Sequence, residues 1–105
     1  MNEQPIKSIA EQKRNDVVFI GEKPLMNYVS SLVMVFTVKG ANSVVVKARG
    51  KHIAKAVDVV EAATKRFLEK SVATDKIDIG SDDFTNKQGR KVRVSWIEVT
   101  LNKKQ

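Results

Sequence analysis

Closely spaced cations are the residues of this sequence best suited to chemistry, and that chemistry is the binding of anions. Lys47, Arg49 and Lys51 alternate in the motif VVVKARGK. Alternate residues of a β-strand share one face, so we expect Lys47 and Arg49 to project together from a strand that starts at the valines. No carboxylate occurs between Lys23 and Val57, so the sequence offers these cations no nearby neutralising charge. This separation of charge predicts an anionic partner.

A second group of cations occupies a predicted β-hairpin. Its turn is NKQGR at residues 86–90, because Asn and Gly favour the backbone conformations of tight turns. The cations at the turn and just beyond it are Lys87, Arg90, Lys91 and Arg93. Residues 84–97 contain no carboxylate, so the hairpin is predicted to have a basic tip.

Two strands and two helices are expected to precede the hairpin. The apolar run at residues 17–20 predicts a short buried strand, and Pro24 suits the first position of a helix that continues to Gly40. After the valine strand, apolar residues at three- and four-residue spacing from Ile53 to Phe67 predict a second amphipathic helix. Each helix is therefore expected to pack one apolar face on a sheet.

The hairpin strands show two different patterns. Residues 68–75 are predicted to be a polar connection, and the alternation in KIDI at residues 76–79 predicts a half-solvated strand. In residues 92–101 the apolar phase changes after Trp96. The change indicates either a strand whose outer half leaves the core or a strand with a bulge.

The resulting element order is βαβαββ. It predicts an α+β fold: a compact two-layer domain with a four-stranded mixed sheet, two helices and a long protruding β-hairpin. Residues 16–105 are assigned to this domain. Residues 1–15 mix charges and amides without a sustained apolar period, so we expect them to form a mobile tail.

Composition narrows the functional classes. The chain has 105 residues, a net charge of +7 and 42% apolar residues, which suits one globular domain with a polyanionic partner and leaves room for burial in a dimer. It has no cysteine, and its longest apolar run, residues 32–36, is far below the roughly 20 residues of a membrane span. We therefore expect a soluble, intracellular protein with no membrane partner.

The sequence has few features that would support catalysis or metal binding. His52 is the sole histidine, and Asp82 and Asp83 are adjacent in a strand, so their side chains face opposite ways. No phosphate-binding loop or nucleophile with a nearby base is recognisable. The sequence predicts a protein that is not an enzyme and that has neither metal nor cofactor.

The aromatic residues have two interpretations. Most of them lie in patterns typical of a core, including Phe19, and Phe67 is expected in the core or at an interface. Trp96 and Phe84 are the exceptions that could stack on bases.

Several short motifs, in order and at these spacings, resemble the Alba family of archaeal chromatin proteins over residues 17–104. The motifs are IGEKPLMNYV at residues 20–29, VKARG at 46–50, AKAVD at 54–58, RFL at 66–68, GS at 80–81, GR at 89–90 and RVS at 93–95. The resemblance implies a dimer that binds double-stranded DNA with little sequence specificity and compacts or bridges it. It also implies a cytoplasmic location on the chromosome.

The resemblance assigns roles to individual residues. It implies contacts of the domain body with the duplex backbone through Lys23, Lys47, Arg49 and Lys51. The hairpin arms, with Lys87, Arg90, Lys91 and Arg93, would embrace the duplex and reach toward minor grooves. Phe67 matches a position of contacts between dimers, which implies further assembly along DNA.

The sequence departs from the Alba family pattern in two places. Glu22 stands where the family commonly has a lysine regulated by acetylation, so that regulation is not carried over. Asp82 and Asp83 add negative charge to the arm.

Two other functional hypotheses stay open. An RNA-binding or ribonucleoprotein role would use the same basic surface. A structural module with an acidic protein partner is the third hypothesis.

Overall fold

The computed structural model describes residues 15–104, and its elements follow the predicted order βαβαββ. The strands and helices are β1 (Asn15–Phe19), α1 (Leu25–Thr37), β2 (Ser43–Arg49), α2 (Ile53–Ala62), β3 (Val72–Thr85) and β4 (Lys91–Lys103). A 3₁₀ turn (Gly50–His52) precedes α2, and a π-helical turn (Ala63–Phe67) follows it. Apart from the backbone of Asn15, the predicted N-terminal tail lies outside the described residues.

The four strands form one mixed sheet in the order β1-β2-β4-β3. β1 pairs with β2 in parallel, whereas β4 runs antiparallel to both β2 and β3. The predicted fold class, α+β with a four-stranded mixed sheet and two helices, is confirmed. β1 and β3 are the edge strands.

The core lies between the helices and one face of the sheet. In β2 the burial alternates, so Val44, Val46 and Ala48 are buried against the helices while Lys47 and Arg49 lie on the opposite face, as predicted. From α1 the core receives Tyr28, Val29, Leu32 and Phe36, so this helix packs one apolar face on the sheet, as predicted. We call the sheet face that carries Lys47 and Arg49 the open face.

The change of apolar phase in β4 marks the point where the strand leaves the core. Ile97, Val99 and Leu101 are buried, whereas the residues nearer the hairpin turn are more exposed. The shift in register lies in β3, between Thr74 and Lys76, at the other end of the ribbon. The first of the two predicted explanations, a strand whose outer half leaves the core, therefore applies.

Three local predictions differ from the structure. β3 begins at Val72, which is buried, so part of the expected polar connection belongs to the strand. β1 buries one face alone, and Phe19 is 70% exposed on the open face rather than in the core. The second helix is regular to Ala62 and ends in the π-helical turn, where Phe67 is exposed.

Within residues 15–104, no helix is long and apolar enough to cross a membrane.

Candidate nucleic-acid interface

The loop between β1 and α1, residues 20–24, is held by two side chains from outside it. The hydroxyl of Tyr28 accepts hydrogen bonds from the backbone N–H of Gly21 at 2.9 Å and of Lys23 at 3.1 Å. Lys55 donates from Nζ to the carbonyl oxygens of the same two residues, at 2.7 and 2.8 Å. The loop therefore has a defined backbone, from which the side chains of Glu22 and Lys23 project into solvent.

These positioning roles have no signal in the sequence. The pattern around Tyr28 predicts a core residue, and Lys55 is one of several cations in the stretch without carboxylates. Lys55 instead satisfies two backbone carbonyls across 34 and 32 positions, a contact that no local spacing predicts. Its ammonium group is thus a part of the scaffold that presents Lys23.

Lys47 and Arg49 lie side by side on the open face, but each has a carboxylate partner. Lys47 Nζ lies 3.6 Å from Oε2 of Glu98, the residue directly opposite it in β4. Arg49 Nη2 donates to Oδ2 of Asp82 in β3 at 3.2 Å. The two cations are therefore neutralised in part by neighbouring strands of their own sheet.

Lys51 continues this basic surface and contacts the loop. Its Nζ lies 3.2 Å from Oε2 of Glu22, and His52 Nε2 lies 3.4 Å from the same oxygen. The hydrogen bond from Lys51, followed by the charges of Lys51 and His52, lowers the pKa of Glu22 below its usual value. Glu22 is thus a carboxylate at neutral pH, and it forms its salt bridge with Lys51 of the 3₁₀ turn before α2 rather than with the adjacent Lys23.

The hairpin turn has the predicted geometry. Asn86 and Arg90 close it through a backbone hydrogen bond of 2.8 Å, and Gly89 has a φ of 81°. Asn86 Oδ1 accepts from the backbone N–H of Gln88 and of Arg90, both at 2.9 Å. This conformation favours Gly and Asn, which explains why the turn could be recognised from sequence.

The hairpin cations differ from those of the body. Arg93 donates from Nε to Oδ1 of Asp83, its cross-strand partner, at 3.0 Å. Lys87, Arg90 and Lys91 are exposed and make no salt bridge with any other residue in the described part of the chain. We call these three residues the hairpin tip, and Lys47, Arg49 and Lys51 the body cluster.

The structure thus brings the predicted nucleic-acid contacts together in two places. The body cluster lies on β2 and the turn after it, beside the loop that carries Lys23, and the hairpin tip lies at the far end of β3 and β4. Phe67 belongs to neither place, because it lies at the end of the π-helical turn. Among residues 15–104, no group of three or more His, Cys, Asp or Glu side chains is arranged to hold a metal ion.

Comparisons with known proteins agree with this architecture. The family model described as Alba matches residues 16–81. The DNA/RNA-binding protein Alba of Nanoarchaeum equitans is 51% identical over 83% of this chain and 97% of the relative, and that of Methanococcus maripaludis is 42% identical over 85% and 99%.

Solved structures are similar over most of the chain. Alba from Thermoplasma volcanium has a TM-score of 0.75 and 38% identity, with coverage of 83% of this chain and 99% of that one. ALBA1 from Trypanosoma brucei has a TM-score of 0.65 and 25% identity over 84% and 68%. By its match to the family model and its identity to these relatives, this chain belongs to the Alba family.

Proposed function

We propose that the protein is an architectural nucleic-acid-binding protein that coats or bridges double-stranded DNA as a dimer, with little sequence preference. The observation that carries the proposal is the hairpin tip: three exposed cations without a carboxylate partner in the described residues, on a ribbon that extends beyond the core. Such a ribbon can follow a groove, and its cations can contact phosphates on both sides.

The expected contacts account for the lack of sequence preference. Lysine and arginine contacts to phosphate position a protein on the duplex but carry no information about the bases. Lys23 and the body cluster would contact the backbone, while Arg90 and Arg93 would favour narrow minor grooves because these are the more electronegative. Any preference among sequences would then arise from groove shape.

A dimer is supported by an exposed apolar strip beside the helices. Ile77 and Ile79 of β3 point to the helix side of the sheet but are 60% and 76% exposed, and Val57 of α2 is 44% exposed. A groove beside Ile79 is lined by Ile53, Ile97 and Trp96 as well. We infer that a second copy covers this strip, so that the dimer carries two arms.

The proposal has three further parts. Phe67, 53% exposed, would provide contact between neighbouring dimers along DNA. A protein that coats DNA would be located in the cytoplasm on the chromosome. The role requires no catalytic step, and the relatives named above are described as binding proteins.

RNA is the second candidate ligand, and the names of the relatives favour it as much as DNA. The basic surfaces contact phosphates, which both polymers carry. An A-form RNA duplex has a deep and narrow major groove and a wide minor groove, so the two arms would fit it differently.

Fluorescence anisotropy tests the proposal with random-sequence duplex DNA and length-matched duplex RNA at several salt concentrations. If about six phosphates are neutralised, log affinity for DNA should fall against log salt with a slope near −5. Equal affinity for different DNA sequences is expected. A flat slope would contradict the architectural role and favour an acidic protein partner, and a strong preference for RNA would favour the ribonucleoprotein role.

A further inference from the structure

The open face of the sheet carries three aromatic side chains that the helices do not cover. They are Phe19 on β1, Trp96 on β4 and Phe84 on β3. Phe19 is 70% exposed and Phe84 is 42% exposed, while Trp96 is partly buried. Aromatic rings exposed to this degree contribute little to the core of the domain.

The sheet register places these rings beside the cations of β2. Phe19 lies opposite Lys47, and Arg49 lies opposite Trp96. The Lys47 ammonium is 5.9 Å from the centre of the Phe19 ring, and the Arg49 guanidinium carbon is 4.8 Å from the centre of the Phe84 ring. Aromatic groups and cations therefore alternate across the open face.

Trp96 is held in place by its neighbour on β3. Gly80 lies opposite it, and a Cβ atom at Gly80 would lie 2.4 Å from Cζ2 of the indole. The ring thus packs directly against the Gly80 backbone, which only a glycine allows. Trp96 also lines a groove of about 450 Å³ with Phe19, Lys47 and Arg49, a volume within the range of small-molecule sites and so sufficient for a base.

We propose that this face binds single-stranded nucleic acid by stacking unpaired bases on Phe19, Trp96 and Phe84. Every base has a π-face, so aromatic rings and arginine planes bind single strands with little sequence preference. Lys47 and Arg49 would contact the phosphates between the stacked bases. Bases inside a duplex are already stacked on one another, so double-stranded nucleic acid cannot use the rings.

The carboxylates of the open face reduce the share of the affinity that charge can supply at this site. Glu98 and Asp82 pair with Lys47 and Arg49, so the face has little net positive charge to attract phosphates. Stacking must then supply more of the affinity here than at the hairpin tip. Binding to this face should therefore depend less on salt than binding to duplex DNA.

The proposal shares Lys47 and Arg49 with the duplex surface and rests on the proposed function for those two cations. The proposed function assigns no duplex contact to the aromatic rings themselves. Their contribution can be separated because stacking persists at salt concentrations that weaken phosphate contacts.

Trp96 is the sole tryptophan of the chain and lines the groove with Phe19, Lys47 and Arg49, so its fluorescence responds to a base bound there. The full chain is titrated with a single-stranded 12-nucleotide DNA and the matching RNA at 0.3 M salt, followed by tryptophan emission. Saturable quenching is expected. The same titration with duplex DNA should quench much less, because its bases are not available to the indole.

Phe19→Ala is the main variant, since a side chain so exposed can be removed without disturbing the fold. Its affinity for the single strand, measured by anisotropy with a labelled oligonucleotide, should fall by about fivefold or more, as expected when one stacking ring is removed. Its affinity for duplex DNA should not change. Val38→Ala is the matched control, because Val38 is 76% exposed and lies at the end of α1, in the helix layer rather than on the open face.

Phe84→Ala is the second variant and should weaken single-strand binding to a similar extent. If both variants bind the single strand as tightly as the unchanged protein, the assignment is overturned. Equal reductions for single strand and duplex would also overturn it, because they would indicate a general disturbance of the basic surface. Weak duplex binding by the unchanged protein, combined with specific quenching by single strands, would contradict the proposed function and leave the stacking site intact.

Discussion

The body cluster and the hairpin tip carry the same formal charge but present it differently. Lys47, Arg49 and Lys51 are each within 3.6 Å of a carboxylate from another element. The hairpin tip has no such partner among residues 15–104. A phosphate must displace a carboxylate at the body, whereas at the tip it displaces only water and counterions.

This difference indicates that counting cations overstates the attraction of the body for nucleic acid. An exposed ion pair is weak, so a phosphate can replace its carboxylate, but the exchange releases less free energy than binding to an unpaired cation. The hairpin tip should therefore dominate long-range attraction and salt dependence. The body cluster should contribute mainly to orientation on the duplex.

Two arms can bind one duplex together only in a dimer. Ile79→Asp should prevent dimerisation, because it places a charge in the apolar strip. We expect a monomer in sedimentation experiments. Affinity for duplex DNA should fall by about a hundredfold or more, because the second arm no longer binds at high effective concentration. Val38→Asp is the control, since Val38 has the same exposure of 76% and lies outside the strip. A dimeric Ile79→Asp variant would contradict the assignment of the strip.

Two triple variants compare the regions directly. Lys87→Ala, Arg90→Ala and Lys91→Ala together should weaken duplex binding on the order of a hundredfold, and the salt slope should fall by about 0.9 for each phosphate that is no longer neutralised. Lys47→Ala, Arg49→Ala and Lys51→Ala together should weaken binding less and change the slope less. Anisotropy at several salt concentrations provides both quantities. Equal effects would show that the carboxylate partners do not matter.

Asp82→Asn should make the body cluster resemble the tip, because it removes the partner of Arg49. Duplex affinity should increase by up to about fivefold, the upper value of an exposed ion pair, and the salt slope should become steeper. Asp75→Asn removes the same charge from β3 at an exposed position that makes no salt bridge with a described residue. If both variants tighten binding equally, net charge rather than the Arg49 pair is the cause.

Glu22→Gln is expected to have the smallest effect, since the side chains of Glu22 and Lys51 are both 77% exposed. Freeing Lys51 should tighten duplex binding by about twofold to threefold. Glu61→Gln on α2 is the control for net charge, because Glu61 is exposed and makes no salt bridge within residues 15–104. An unchanged affinity in Glu22→Gln would mean that Lys51 does not contact the duplex.

The pH dependence of the Glu22 contact has a defined sign. Because its pKa is lowered in the folded protein, Glu22 stabilises the fold fully above its unfolded value of 4.5, and this contribution is lost as the pH falls through the lowered pKa. Thermal unfolding of the unchanged protein and Glu22→Gln should therefore differ at neutral pH and converge in acid. A difference that disappears already above pH 5 would contradict this pairing.

Local patterns were sufficient to predict most of the elements. The stripe of α1 recurs at helical spacing, and Lys47 and Arg49 lie two residues apart in a strand, so their faces follow from backbone geometry. Asn86 and Gly89 specify a turn by their conformational preferences. The start of β3 at Val72 has no such signal, because the register shift near Thr74 interrupts the alternation.

Positions of side chains relative to distant residues could not be predicted in the same way. The apolar run that contains Phe19 is compatible with a strand buried on both faces or on one. Only the packing of both helices on the same side leaves Phe19 on the open face. The sequence marks Phe84 and Trp96 as exceptions to the core pattern, but their place beside Arg49 depends on the pairing of three strands.

The sequence alone determines the element order, the family membership and the location of the cations on one strand and one turn. These properties depend on short-range periodicity and on motifs. Which cations are neutralised and which rings are exposed depends on the tertiary structure. Arg49 and Asp82 lie 33 positions apart, and Lys55 reaches Gly21 across 34. Such contacts arise only when the strands pair and the helices pack, so the charge available to a ligand is a property of the fold.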